Sequence, residues 1–211
     1  MTTAAASKPR KQSSRSYWTK TLHQWHWISS AICLVGLLLF TVTGITLNHA
    51  SSIEGQPKVT TGTAVLPERL LPMIKNGEGD QPLPVAVRDW VAGESRQDLK
   101  KGTVEWSEGE VAVSMPRAGG DAWLVIDRTT GDIEWENTSR GVVSYFNDLH
   151  KGRNTGTVWK WFIDIFAVAC LVFTLTGLVL LYLHGRHRRM TWPLVGAGLV
   201  IPALLLLLFL H

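Results

Sequence analysis

Three runs of apolar residues decide what this chain can become. They are Trp27–Leu47, Val158–Leu183 and Trp192–Leu210, and each meets the roughly 20 residues that a helix needs to cross a bilayer. Hydrocarbon offers no water to a backbone N–H or C=O, and only a helix satisfies its own groups within one segment. The expected fold class is therefore membrane α-helical with three transmembrane helices. The first run exceeds the roughly 7–15 apolar residues of a signal peptide and reads as a retained span. About a hundred residues separate the first two runs, enough for one small domain. The division that follows is a disordered cytoplasmic tail over 1–16, helix one over 17–49, an outer domain over 50–157, helix two over 158–184, a cytoplasmic loop over 185–191 and helix three over 192–211.

Short-loop lysines and arginines set the orientation of such spans. Lys8, Arg10, Lys11, Arg15 and Lys20 precede the first run, and Arg186, Arg188 and Arg189 lie between the second and third, with no acid in either stretch. Both are expected on the cytoplasmic side, and the mixed-charge 50–157 segment outside. The net charge of +4 is thus mostly a topology signal, and no nucleic-acid partner is expected. Cys33 and Cys170, the two cysteines, both fall within apolar runs, so the outer segment has no disulfide framework.

The outer segment opens on a polar stretch, Ala50–Thr63, read as a linker. Leu66–Ile74 and Pro84–Val91 read as short helices with proline at early positions. Thr103–Trp106 with Glu110–Met115, and Ala122–Asp127 with Asp132–Glu136, read as two β-hairpins. In the second, Trp123 and Val125 are taken as the apolar set against Asp121 and Asp127. Gly141–His150 reads as a helix leading to the second span. The expectation is a small α+β domain, helix on antiparallel sheet.

The first and second spans share a short repeat: PheThrValThrGlyIleThrLeu at 40–47 and PheThrLeuThrGlyLeuValLeu at 173–180, identical at five of eight positions. The two helices run in opposite directions, so the repeat is inverted, an arrangement that often frames a site. Its glycines and threonines also suit close helix packing. Either way the two helices lie side by side.

Seven histidines are present, and all fall near expected membrane faces. His23 and His26 open the first span and His49 follows it. His150 precedes the second span, His184 and His187 follow it, and His211 ends the third. His26 with His184, and His49 with His150, form two facing pairs on the same two helices. His26 and His49 are 23 residues apart, roughly 35 Å along a helix. A pair of imidazoles from packed helices is the ligand set of a low-spin haem, and two haems would carry electrons through an insulating layer. Zinc is disfavoured, because no three- or four-ligand cluster stands at metal spacing. Copper at the outer histidines is the remaining metal reading. The chain has no CysXxxXxxCysHis attachment motif, so the haem expected is non-covalent haem b, two per protein.

These residues resemble a known family. LeuHisGlnTrpHisTrp before the first span, ThrGly within it and LeuAsnHis after it are similar to the first helix of PepSY-associated transmembrane proteins. AsnAspLeuHisLysGlyArgAsnThrGly at 147–156, followed by LeuThrGlyLeu, is similar to their second segment, and AspArgThrThrGlyAspIle resembles part of a PepSY domain. The resemblance implies a haem-bearing reductase of the bacterial inner membrane that passes electrons outward, in some members to ferric siderophores in the periplasm. It also implies His26, His49, His150 and His184 as axial ligands. Larger members have four or more spans, which makes a homodimer, and His211 or His23 as alternate ligands, part of the expectation. Arg153, beside His150, is the candidate contact for a haem propionate or an anionic acceptor. No phosphate-cradling glycine loop is present, so quinol or a separate cytoplasmic reductase is the expected donor, and a ferric chelate the acceptor. The rival reading is a non-enzymatic, membrane-anchored PepSY module that binds or restrains a periplasmic partner.

Overall fold

The structure is a computed structural model and describes residues 14–53, 55–185 and 188–210. Most of the expected tail, residues 1–13, lies outside that range, as do His187 and His211. Three long helices carry the apolar runs: α1 (Ser14–Asn48), α5 (Gly156–His184) and α6 (Thr191–Phe209). All three are long and apolar enough to cross a membrane, and almost none of their apolar side chains is buried against protein. Such exposure is costly in water and favourable against lipid. The chain forms two compact units, one built from residues up to Leu37 and from Asp164 onward, the other from Leu38–Ile163.

The second unit holds the α+β domain. After α2 (Ala50–Ile53) come β1 (Lys58–Val65), α3 (Val85–Ser95), β2 (Thr103–Trp106), β3 (Glu110–Ser114), β4 (Gly120–Asp127), β5 (Asp132–Ser139) and α4 (Gly141–Lys151). The strands form one antiparallel sheet in the order β1-β5-β4-β3-β2. Along β4 the side chains alternate, and Ala122, Leu124 and Ile126 point into a core with Val87 and Val91 of α3, Val111 and Val113 of β3, and Ile133 of β5. The fold is thus a membrane-helical chain with a small domain of helix on antiparallel sheet.

Several local readings change. The stretch read as a linker holds most of the edge strand β1, whose first half is exposed. It lacks apolar alternation, and only its β-branched residues Val59, Thr60, Thr61, Thr63 and Val65 mark it as strand. The expected helix over 66–74 is a single 3-10 turn, Leu71–Met73. Leu66, Leu70 and Ile74 are buried as a helical spacing would have them, but Pro72 removes a backbone donor and clashes with the preceding turn. The helix expected to end at Val91 runs on to Ser95 and stops where Arg96 turns left-handed, φ 55°. In β4 the buried set is 122, 124 and 126, while Trp123 and Val125 share the opposite face with Asp121 and Asp127, because all four are of the same parity.

The β4–β5 turn is closed by Asp127, whose Oδ1 accepts from the Thr129 and Thr130 amides at 2.7 and 2.8 Å. Those two bonds, Thr130's first, hold the carboxyl below its ordinary value of 3.8. A carboxylate depressed in the folded state stabilises above the unfolded pKa, and that stability is lost as pH falls through the lower, folded value. Asp127→Asn keeps the acceptor and removes the titration. Its thermal midpoint should therefore fall less steeply than the parent's below about pH 4, as read by thermal unfolding across that range.

Candidate functional site

The repeated motif turns out to hold histidines. In the first unit, His26 of α1 lies over PheThrLeuThrGly of α5. Its Nδ1 is 3.1 Å from Thr176 Oγ1 and 3.2 Å from the Phe173 carbonyl oxygen. Its ring stacks on Phe173 at 4.9 Å between centroids and 13° between planes. A Cβ at Gly177 would stand 3.0 Å from His26 Cε1, tighter than most Cβ contacts, so alanine there would press the imidazole from its seat by a few tenths of an ångström. Gly36 makes room for Phe166 one helical stretch away, where a Cβ would overlap the ring.

In the second unit, the first copy of the motif, PheThrValThrGly of α1, holds His150 of α4. His150 Nδ1 is 2.7 Å from Thr43 Oγ1. Its ring lies 5.0 Å from Phe40, tilted by 53°, and its Cε1 is the atom nearest a Cβ built on Gly44, at 3.6 Å. The helix that carries it is pinned nearby: Thr46 Oγ1 donates to Oδ1 of the buried Asn147 at 2.8 Å. Buried Asp148 accepts the Gly119 amide at 2.8 Å. Gly152, left-handed at φ 65°, ends α4, and its amide and that of Arg153 close on the last carbonyls. Each copy thus sets the same three residue types beside one histidine, a phenylalanine, a threonine hydroxyl and a glycine, with the tighter fit at His26.

The bond partners favour one placement of the ring protons. Thr43 Oγ1 donates to the Leu39 carbonyl at 2.9 Å, and Thr176 Oγ1 to that of Val172 at 2.7 Å. His26 Nδ1 must donate, because the Phe173 carbonyl only accepts; a Thr43 hydroxyl whose proton goes to Leu39 accepts from His150 Nδ1 in the same way. The other described histidines reach the same state through their own helices. His23 Nδ1 bonds the Thr19 carbonyl at 2.8 Å, His49 that of Ile45 at 3.0 Å, and His184 that of Leu180 at 3.0 Å. A carbonyl only accepts, so these Nδ1 atoms also donate. In the neutral ring the lone pair is then on Nε2, which has no hydrogen-bond partner among the described residues.

The expected pairs are rearranged. His184 meets His23, with ring centroids 5.5 Å apart and edge to face, while His26 lies in its cradle. His150 is in the other cradle, and His49 is exposed and turned back to Ile45. Arg153 has an exposed guanidinium. Sequence reasoning missed the cradle residues Phe40, Thr43, Gly44, Phe173, Thr176 and Gly177 as histidine partners, although the repeat itself was their signal.

These groups suit haem ligation. A ligating histidine commonly gives its second ring N–H to a carbonyl or similar acceptor, which fixes the tautomer and strengthens the donor nitrogen. Among the described residues no group of three or more His, Cys, Asp or Glu is placed to hold a metal ion. The described histidines stand singly or in twos, and a bis-imidazole haem site takes two.

A family model described as PepSY_TM-like matches residues 17–211. No curated protein and no solved structure matches the chain. The matched stretch takes in the three apolar helices, the α+β domain and both histidine cradles, and the chain belongs to the PepSY_TM-like family.

Proposed function

We propose that this protein is a haem b carrier that moves electrons across a bacterial inner membrane to a periplasmic acceptor, reducing ferric iron in a siderophore or similar chelate. The observation that supports it is the duplicated cradle, which offers two histidines with Nδ1 donated and Nε2 free. Haem iron, when bound, supplies a one-electron couple whose potential follows its axial ligands and their hydrogen bonds. His26 and His150 would be the held ligands. His184 or His23 would complete one site, and His49 or His211 the other, within one chain or across a homodimer. The tail and short loop face the cytoplasm in this reading, with quinol or a separate reductase as donor, and the α+β domain faces the periplasm.

Arg153 follows α4 directly, three residues after His150, and its fork matches carboxylate geometry. It would contact a propionate or draw in an anionic ferric chelate. Dithionite-reduced protein is expected to be reoxidised by ferric chelates without oxygen, with ferrous iron appearing in step. Arg153→Ala should slow that reoxidation by about tenfold, the scale of one charge-assisted bond of about 1.4 kcal/mol. A reduced protein that keeps its electrons over minutes in several ferric chelates would end the iron-reductase assignment.

A further inference from the structure

We infer that Thr43 and Thr176 are positioning residues that hold the proton on Nδ1 of His150 and His26, so that each cradle presents Nε2 as the basic, outward nitrogen. Neither threonine needs to touch a ligand to do this. The inference comes from the coincidence of two facts. The sequence repeats PheThrXxxThrGly, and the structure places a histidine from a different helix on both copies, beside the corresponding Phe, Thr and Gly of each. Chance similarity of two threonine-rich apolar helices would not put the fourth residue of each copy on an imidazole Nδ1 and the fifth under its Cε1.

Helix packing alone asks less of these positions. Small residues are enough to bring helices close, and a threonine satisfied by its own helix needs no partner outside. Here the hydroxyls of Thr43 and Thr176 are both satisfied by carbonyls one turn back and still accept a second bond. That relay chain of N–H to O–H to C=O is polarised in one direction, and in a low dielectric each bond strengthens the next.

The two cradles are not equal, and the difference makes a test. Among the described residues His150 has Thr43 as its one Nδ1 partner, at 2.7 Å. His26 has Thr176 at 3.1 Å and also the Phe173 carbonyl at 3.2 Å. Losing the hydroxyl should therefore free the His150 tautomer and leave His26 partly held. Valine removes the oxygen at nearly constant shape, and serine keeps it.

The experiment is nitrogen NMR on full-length protein with labelled histidine in detergent micelles, at a mildly alkaline pH. Parent protein should show Nε2 of both cradled rings unprotonated. Thr43→Val should move the His150 Nε2 signal toward the protonated position, Thr43→Ser should restore it, and Thr176→Val should move His26 less. Identical nitrogen shifts in parent and Thr43→Val would overturn the inference, and so would an equal response to serine and valine.

The ligand consequence rests on the haem reading and is read separately, as a midpoint potential. Without the Nδ1 acceptor the ring is a weaker donor, so the ferric state loses ground. Thr43→Val should raise one potential by up to about tenfold in ferric-over-ferrous preference, ~59 mV for one electron, with Thr176→Val smaller. Protein that takes up no haem would refute the haem reading, and the nitrogen shifts would still decide the cradle.

Discussion

Purified protein carrying His26→Ala is expected to retain about half the parent's haem, His150→Ala to lose the other half, and the double variant to be colourless. The reason is order. A ligand that is already fixed loses little on binding, whereas ordering a free side chain costs up to about 2 kcal/mol. His26 is locked by a stacked ring, two oxygens and a glycine gap; His150 is locked by Phe40, Thr43 and Gly44. His49 and His184 are exposed and hydrogen-bonded to their own helices, His184 with only an edge contact to His23 besides. Their alanine variants should keep haem, with one site turned from six- to five-coordinate and a high-spin spectrum. Haem content measured as the pyridine complex, with spin state from the absorption spectrum, separates these outcomes. Haem loss from His49→Ala and His184→Ala alone would move the held ligands out of the cradles.

Gly119→Ala is expected to be strongly destabilising to the α+β domain. Gly119 is left-handed, φ +72°, and a Cβ there would stand 2.8 Å from Tyr145 Cβ and 2.9 Å from its Cα. A side chain costs roughly 1–2 kcal/mol in that conformation, and forced overpacking adds about 1–3 kcal/mol. Tyr145 sits on α4, so the strain falls on the helix that carries His150. The Gly119 amide also binds Asp148 and its carbonyl accepts the Arg140 amide at 2.8 Å, so α4 has few ways to retreat. A loss of about 2–5 kcal/mol would be a large share of a small domain's stability. Thermal unfolding should show a shift of many degrees, together with a changed spectrum for the haem assigned to His150. A melting point within a degree of the parent's would mean that α4 yields freely and that the cradle is not built from below.

The large features of this fold are local, and so they are legible. A span is written in consecutive residues, and the two hairpins are written in short alternating strands with turn residues between. β1 was hidden because an edge strand with a solvated first half needs no alternation, and Leu66, Leu70 and Ile74 imitated a helix that Pro72 forbids. The histidines were legible as chemistry but not as partners. Which residue of α5 faces His26 depends on helix register and tilt, which packing sets and apolar length does not. The pairing of His26 with His184 assumed residues at one depth would meet; Thr176 and Gly177, two turns earlier on α5, take that position instead. The repeat carried the missing information, since three of the five residues it keeps, the Phe, the second Thr and the Gly, are those at the ring.

The central claim is that the cradled histidines bind haem, and the direct measurement is the absorption spectrum of the full-length protein, purified from cells supplied with haem, before and after dithionite. The account predicts a b-type spectrum with a Soret band that sharpens and shifts on reduction, and two haems per functional unit. Protein that is folded, monodisperse and colourless would contradict it, and would leave a membrane-anchored PepSY module whose histidines only join helices.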